Sequence, residues 1–477
     1  MDMLLILDFG GLQAQAVAHR LRGESVYCEI LPWDTSAEQA LAKEPKGIVL
    51  AGGADDADRD CAEGFYAAGL PMLCLGYSAR AAVRRFGGRA EGPALERKIA
   101  HIEFGADPLF AELSECDRFF ERADALELPE GFELIASGGA DAAYVCAEKR
   151  IWGLQFYPEP NDPDGLRILS NFADICDCAK EWTVGNFIDA SIDRIRAQVG
   201  GGDAFIAISG GVDSTVCAVL MHRAIGRRMH CVHVDTGLMR KHEAEQIEKM
   251  FGDMGMDLRV VHAKERFLQS LRGAAGSDEK RRIIGEEFGR ALEEEAQRMG
   301  EGDHLVQGTI YTDVLGADDA SGGFTLAGRS FAGLVEPLRM LFKDEVRRLG
   351  VALGLPEEMV YRQPFPGPGL AVRCMGEVTE EKLEILREAD AIFREEIQAA
   401  GLDKRIRQYF AVLTGGQAGG HIVALRAVNT IDAARASAVR LPYDLLERCV
   451  ERIMGEIKGV ERVVYDISGS PAGVEWE

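Results

Sequence analysis

Residues 204 to 216 read Ala-Phe-Ile-Ala-Ile-Ser-Gly-Gly-Val-Asp-Ser-Thr-Val, and this order of residue types suits the binding of a phosphate-rich anion. Ala204 to Ile208 is a short run of strand formers, and Thr215 to Ala224 reads as a buried helix. Between them, Gly210 and Gly211 let the backbone come close to an anion, and the helix N-terminus offers it unpaired N–H groups. Ser209, Ser214 and Thr215 add hydroxyl donors around Val212, while Asp213 is a carboxylate suited to Mg²⁺. The run lacks a Gly-Lys-Ser/Thr ending, so it is not the P-loop that holds a transferring γ-phosphate.

The elements around this loop follow one rhythm. Met229 to Val234 is an apolar run ending in Asp235-Thr236-Gly237, Leu258 to Val261 is another, and His304 to Gln307 leads into Gly308-Thr309. The first part of the chain repeats the pattern in Met3 to Phe9, Val26 to Leu31, Gly47 to Leu50, Leu70 to Leu75 and Ile151 to Phe156. Strands alternating with helices, with glycines at the strand ends, predict open α/β sheets that bind ligands at their carboxyl edges. Trp182 to Val199 reads as an amphipathic helix joining the two parts. After residue 373, periodic helices alternate with the strand-like runs QYFAVL, IVALRAV and ERVVYDI, as in a small α+β unit.

With 477 residues the chain exceeds one hydrophobic core. A net charge of −24 argues against a nucleic-acid partner, because a phosphate backbone would be repelled. The eleven cysteines are scattered without a CxxC pair, which argues against a zinc site or a disulfide frame. No apolar stretch is long enough to span a membrane, and Met1 to Gly10 begins a strand rather than a signal peptide. A soluble, cytoplasmic protein is expected.

Several blocks together resemble the GMP synthetase family. LILDFG, KGIVLAGG, LPMLCLGYS and WGLQFYPE are similar to the strands of its class I glutamine amidotransferase domain. SGGVDS, VDTGLMRK, AKERF, RRIIGEEF, QGTIYTDV, EPLR, LFKDEVRRLG and RQPFPGPGLAVR are similar to its ATP pyrophosphatase domain, and the chain from Arg373 onward to its dimerisation domain. The resemblance implies two doubly wound open-sheet α/β domains (1–178 and 179–372) followed by a small α+β dimerisation domain (373–477). It implies ATP and Mg²⁺ as cofactors, with Asp213 and Asp313 holding the metal, Lys343 meeting the pyrophosphate and Gly237 near the adenosine. It also implies a homodimer, and a purine-nucleotide site completed by Pro366, Gly367, Pro368, Arg373, Arg426 and Glu475.

The departures from the family pattern bear on function. Its nucleophilic cysteine is replaced by Gly76 and its histidine base by Tyr157, while the orienting Glu159 remains. Glycine cannot attack an amide, and a phenol with an ordinary pKa of about 10 is a poor base at neutral pH. Cys74 lies inside the strand, so the domain is expected to be an inactive glutaminase. The substrate regions also differ. Val314 to Val335 has Arg329 as its only cation, the loop from Gly415 to His421 is short and lacks arginine, and the terminal segment lacks the family's lysine. These losses remove phosphate-neutralising groups.

The expected activity is therefore an ATP-dependent ligase. It would adenylylate a carbonyl oxygen of xanthosine monophosphate (XMP) or a related purine-like ring, release pyrophosphate, and use free ammonia, with or without a separate protein supplying it. Three alternatives remain open: a non-phosphorylated heterocycle as acceptor, sulfur transfer with Cys374 as carrier, and a non-catalytic nucleotide-binding protein.

Overall fold

The computed structural model describes residues 2–53, 59–158, 162–298, 304–316, 331, 333–415, 420–430, 436–469 and 476. The chain divides into two compact units, Met1–Phe187 and Ile188–Glu477.

In the first unit the strands are β1 (Met3–Asp8), β2 (Tyr27–Pro32), β3 (Gly47–Ala51), β4 (Met72–Leu75), β5 (Arg89–Phe104), β6 (Glu115–Glu127), β7 (Glu133–Ser137), β8 (Asp141–Cys146) and β9 (Ile151–Leu154). They form one sheet in the order β2-β1-β3-β4-β9-β8-β7-β5-β6. The pairs from β2 to β9 are parallel, and those beyond β9 are antiparallel. Leu4 to Leu7, Ile48 to Ala51 and Leu73 to Leu75 are completely buried. That is why these parallel strands read as unbroken apolar runs. Helices α1 (Gln13–Gly23) and α2 (Tyr77–Arg85) follow β1 and β4. Long β5 and β6 close one side of the sheet, with β6 at its edge, and sequence inspection does not reveal them. In β6 only alternate residues such as Cys116, Arg118 and Phe120 turn inward, while Glu115, Asp117 and Phe119 face out.

The second unit holds β10 (Ala204–Ala207), β11 (Met229–Asp235), β12 (Leu258–His262), β13 (His304–Val306) and β14 (Gly333–Val335) in the all-parallel order β12-β11-β10-β13-β14. The order reverses between β10 and β13, where an open sheet leaves a crevice at its carboxyl edge. Helices α3 (Val212–Ile225), α4 (Glu243–Asp253) and α5 (Lys343–Ala352) carry residues toward that edge. Further on come α6 (Glu380–Ala399), β15 (Gln408–Gly415), β16 (His421–Thr430), β17 (Ala436–Ala438), α7 (Tyr443–Glu456) and β18 (Val460–Asp466). β16 pairs with β15 and β17 antiparallel and with β18 parallel. One hydrophobic core runs from Val232 and Phe267 through Leu370 to Phe393, Leu425 and Ile453.

Candidate active site

The anion loop lies at the reversal point of the second sheet. β10 ends at Ala207, and Gly210 takes φ +78°, a left-handed conformation suited to glycine. Helix α3 begins at Val212 rather than at Thr215 as the sequence suggests, because the Gly211 carbonyl already accepts the Thr215 N–H at 3.2 Å. The Ser214 and Thr215 hydroxyls donate to the same carbonyl at 3.2 and 2.9 Å. Ser209 Oγ lies 3.1 Å from Ser214 Oγ and accepts the Gly211 N–H at 3.2 Å, so the hydroxyls line the loop.

Two of the expected chemical residues meet here. Lys343, the first residue of α5, places Nζ 2.5 Å from Asp213 Oδ2 across 130 residues of sequence. The other carboxylate oxygen, Asp213 Oδ1, is buried and has no hydrogen-bond partner among the described residues. A buried carboxylate oxygen beside a glycine-rich, hydroxyl-lined loop fits a hard cation, and Mg²⁺ takes one or two carboxylates plus substrate oxygens. Among the described residues no cluster of three or more His, Cys, Asp or Glu could hold a metal by itself. Gly308 follows β13 so closely that a Cβ there would stand 3.1 Å from the Asp213 carbonyl carbon and the Ser214 nitrogen. Next to Thr309, the Ile310 N–H donates to Asp313 Oδ2 at 2.9 Å.

The neighbouring strand end is equally tight. Asp235 Oδ1 accepts the Gly237 N–H at 3.0 Å, and Gly237 has φ +69° with Lys264 packed where a Cβ would sit. The segment containing Pro366, Gly367 and Pro368 docks beside it, with the Leu370 N–H donating to the Leu238 carbonyl at 2.8 Å. Arg373 is buried, its guanidinium 4.1 Å from the Phe410 ring centre and 5.4 Å from that of Phe365, with Asp390 3.9 Å away. Burial, opposed by Asp390, pushes its pKa down to about 9. Arg426 is completely buried and paired with Asp466 across β16 and β18. The expected contributions of Glu159, Arg329 and Glu475 lie outside the described residues.

In the first unit, β4 passes through Gly76, at φ +59° and ψ −113°, directly into α2. This sharp strand-to-helix turn is the backbone shape that presents a nucleophile at a sheet edge. The place for a side chain is taken. A Cβ on Gly76 would stand 2.5 Å from both Cζ and the hydroxyl oxygen of Tyr157. The Tyr157 hydroxyl donates to the Gly52 carbonyl at 3.3 Å, and burial pushes the phenol up to about 12. Nearby, the Tyr77 hydroxyl bridges the Arg59 backbone at 3.1 Å, and Arg59 donates to the Phe9 carbonyl at 2.8 Å. Cys74 is wholly buried, which drives its thiol well above the ordinary value. The filling of this turn by Tyr157 carries no sequence signal, since it arises from strands paired only in the folded sheet.

Comparison with known proteins agrees with the two open sheets and with the unit that follows them. Residues 5–176 match the family description "Glutamine amidotransferase class-I", residues 186–406 "NAD synthase", and residues 395–476 "GMP synthase C terminal domain". The chain is 45% identical to the GMP synthase (glutamine-hydrolyzing) of Caldicellulosiruptor saccharolyticus and 44% identical to that of Acetivibrio thermocellus. Each alignment covers 100% of this chain and 99% of the relative. The chain belongs to the GMP synthase family. The two alignments run over 509 positions against 477 residues here, so these GMP synthases carry segments that this chain lacks. Family membership and the pyrophosphatase-type sheet place it among ATP-dependent ligases. Among the described residues, no helix is long and apolar enough to cross a membrane.

Proposed function

We propose that this chain is a GMP-synthase-type ligase that aminates its acceptor with free ammonia, because its amidotransferase half no longer hydrolyses glutamine. The observation that carries this reading is the Tyr157 ring in the space of a side chain on Gly76. The turn that would display a nucleophile has none, and a neutral, buried phenol stands where a base would act.

The ATP half is read as active. Gly210, Gly211 and the first N–H groups of α3 would cradle the phosphates, with Ser209, Ser214 and Thr215 adding donors. Lys343 would neutralise charge that develops on the departing pyrophosphate. Asp213 and Asp313 would hold Mg²⁺, which supplies Lewis-acid stabilisation of the same charge when bound. Asp235, Gly237, Gly308 and Thr309 would border the nucleotide. The acceptor's carbonyl oxygen attacks the α-phosphorus and the Pα–O bond to pyrophosphate breaks; ammonia then bonds to the ring carbon, and AMP leaves carrying the former carbonyl oxygen while ammonia gives up its proton. The Lys343–Asp213 contact weighs against a purely non-catalytic role.

XMP is the first choice of acceptor. One observation favours a second reading, a purine-like ring without a phosphate. Two of the cations that could replace the missing ones, Arg373 and Arg426, are buried beside Asp390 and Asp466. Cys374 is buried and its thiol is pushed up by that burial, so nothing supports it as a sulfur carrier. The experiment is pyrophosphate release with XMP, xanthosine or xanthine, each with ammonium and Mg-ATP. Turnover of XMP supports the first reading and turnover confined to xanthosine or xanthine the second. Release of ADP and phosphate in place of AMP and pyrophosphate refutes both. The division into three domains near residues 178 and 372, and dimerisation through the last of them, belong to the same proposal.

A further inference from the structure

We propose that Arg362 is a positioning residue for the pyrophosphate loop: it holds the carbonyl of Gly210 and thereby turns the Gly210–Gly211 peptide so that its N–H faces the hydroxyl-lined side of the loop, and Glu243 in turn orients Arg362. This rests on the ATP reading above and deepens it.

The contacts are specific. Arg362 Nη1 donates to the Gly210 carbonyl oxygen, and its Nη2 pairs with the Glu243 carboxylate. The Arg362 side chain is 13% exposed and that of Glu243 7%, so water competes little for the pair. The second Glu243 oxygen accepts the Arg240 N–H at 3.1 Å. Arg240 donates at 3.1 Å to the carbonyls of both Gln363 and Pro364, the residues that follow Arg362. The guanidinium is thus fixed by its own chain, by α4 and by the loop. Burial chiefly, and then the charges of Arg240 and Arg394, lower its pKa to about 9, which still leaves it charged at neutral pH.

Peptide geometry supplies the consequence. In a trans peptide the carbonyl of one residue and the N–H of the next point in opposite directions. Drawing the Gly210 carbonyl toward Arg362 therefore turns the Gly211 N–H the other way, where it meets Ser209 Oγ at 3.2 Å on the hydroxyl-lined side. Gly210 is held at φ +78°, and a Cβ there would come within 2.6 Å of Ile247 on α4. Glycine itself could flip this peptide at little cost. The arginine is what selects one orientation.

The test is the dissociation constant of the Mg²⁺ complex of α,β-methylene-ATP, measured by calorimetry alongside kcat and KM in pyrophosphate release. Arg362→Gln should raise that constant and the KM for ATP by about 10- to 100-fold, as expected for losing a hydrogen bond from a charged group. The KM for ammonium should stay unchanged, which a general loss of structure would not spare. Arg362→Lys, with charge but without the fork, should recover only part. Glu243→Gln should shift the constant in the same direction, and it carries the test if Arg362→Gln does not fold. Unaltered affinity in folded variants overturns this proposal alone. Failure of the unsubstituted chain to bind the analogue overturns the ATP reading and the proposal with it.

Discussion

The hydroxyl of Tyr157 stands 2.5 Å from where the Cβ of any side chain at residue 76 would begin. Gly76 and Tyr157 therefore form one steric unit, and replacing glycine alone cannot recreate a working nucleophile. Gly76→Cys should leave glutamine hydrolysis absent and cost about 1–3 kcal/mol for a strained non-glycine backbone, with the clash against Tyr157 adding to it. Gly76→Cys with Tyr157→His should recover part of that stability. Thermal unfolding and glutamate release are the two readouts.

The same phenol gives a pH prediction. Burial raises its pKa to about 12, so it stays protonated throughout the ordinary assay range. Glutamine hydrolysis should remain absent from about pH 6 to about pH 10, the usual phenol pKa. Because the folded pKa lies above the unfolded one, the unfolded chain loses this proton first. The stability contribution is complete below about pH 10 and is lost as pH rises toward 12. An alkaline titration of the full chain followed by tyrosine absorbance, taken as the difference from Tyr157→Phe, checks the sign.

Lys343 and Asp213 form a contact with the opposite balance of roles. Their side chains are 43% and 26% exposed, so the pair contributes at most about 1 kcal/mol to stability. Its expected work lies with the departing pyrophosphate. Lys343→Met should lower pyrophosphate release by about 100-fold or more, the loss typical of a removed charge-stabilising donor, with little change in melting temperature. Asp213→Asn should behave likewise. A large stability loss with retained turnover would reverse the assignment.

Asp390 on α6 is a stability determinant. It is buried between Arg240 at 3.5 Å and Arg373 at 3.9 Å, and it accepts the Ala411 N–H at 3.1 Å. Asp390→Ala removes a carboxylate facing two buried guanidinium groups and should cost about 3–5 kcal/mol. Denaturant unfolding of the full chain measures it.

Much of this was legible in the sequence because it depends on local pattern. The completely buried parallel strands appear as apolar runs, and Ser209 to Thr215 announces an anion loop through residue types that tolerate positive φ and donate hydrogen bonds. The replacements at 76 and 157 were visible as letters. Their steric interlock was not, because β4 and β9 become neighbours only through sheet pairing. β5 and β6 are hard to read because charged residues on their exposed face interrupt the apolar signal. Arg362 escaped for a different reason: its partners Gly210 and Glu243 lie more than a hundred residues away. The pairing of Arg426 with Asp466 was not legible either, because it depends on the register of β16 and β18.

The most direct test of the central claim is the nitrogen source. Purified protein with Mg-ATP and XMP would be given either ammonium or glutamine, and AMP, GMP and glutamate would be quantified together. The account predicts GMP and AMP in equal amounts with ammonium, rising with pH as ammonium loses its proton, and neither GMP nor glutamate with glutamine. Glutamate formed in step with AMP when glutamine is the sole nitrogen source would contradict it.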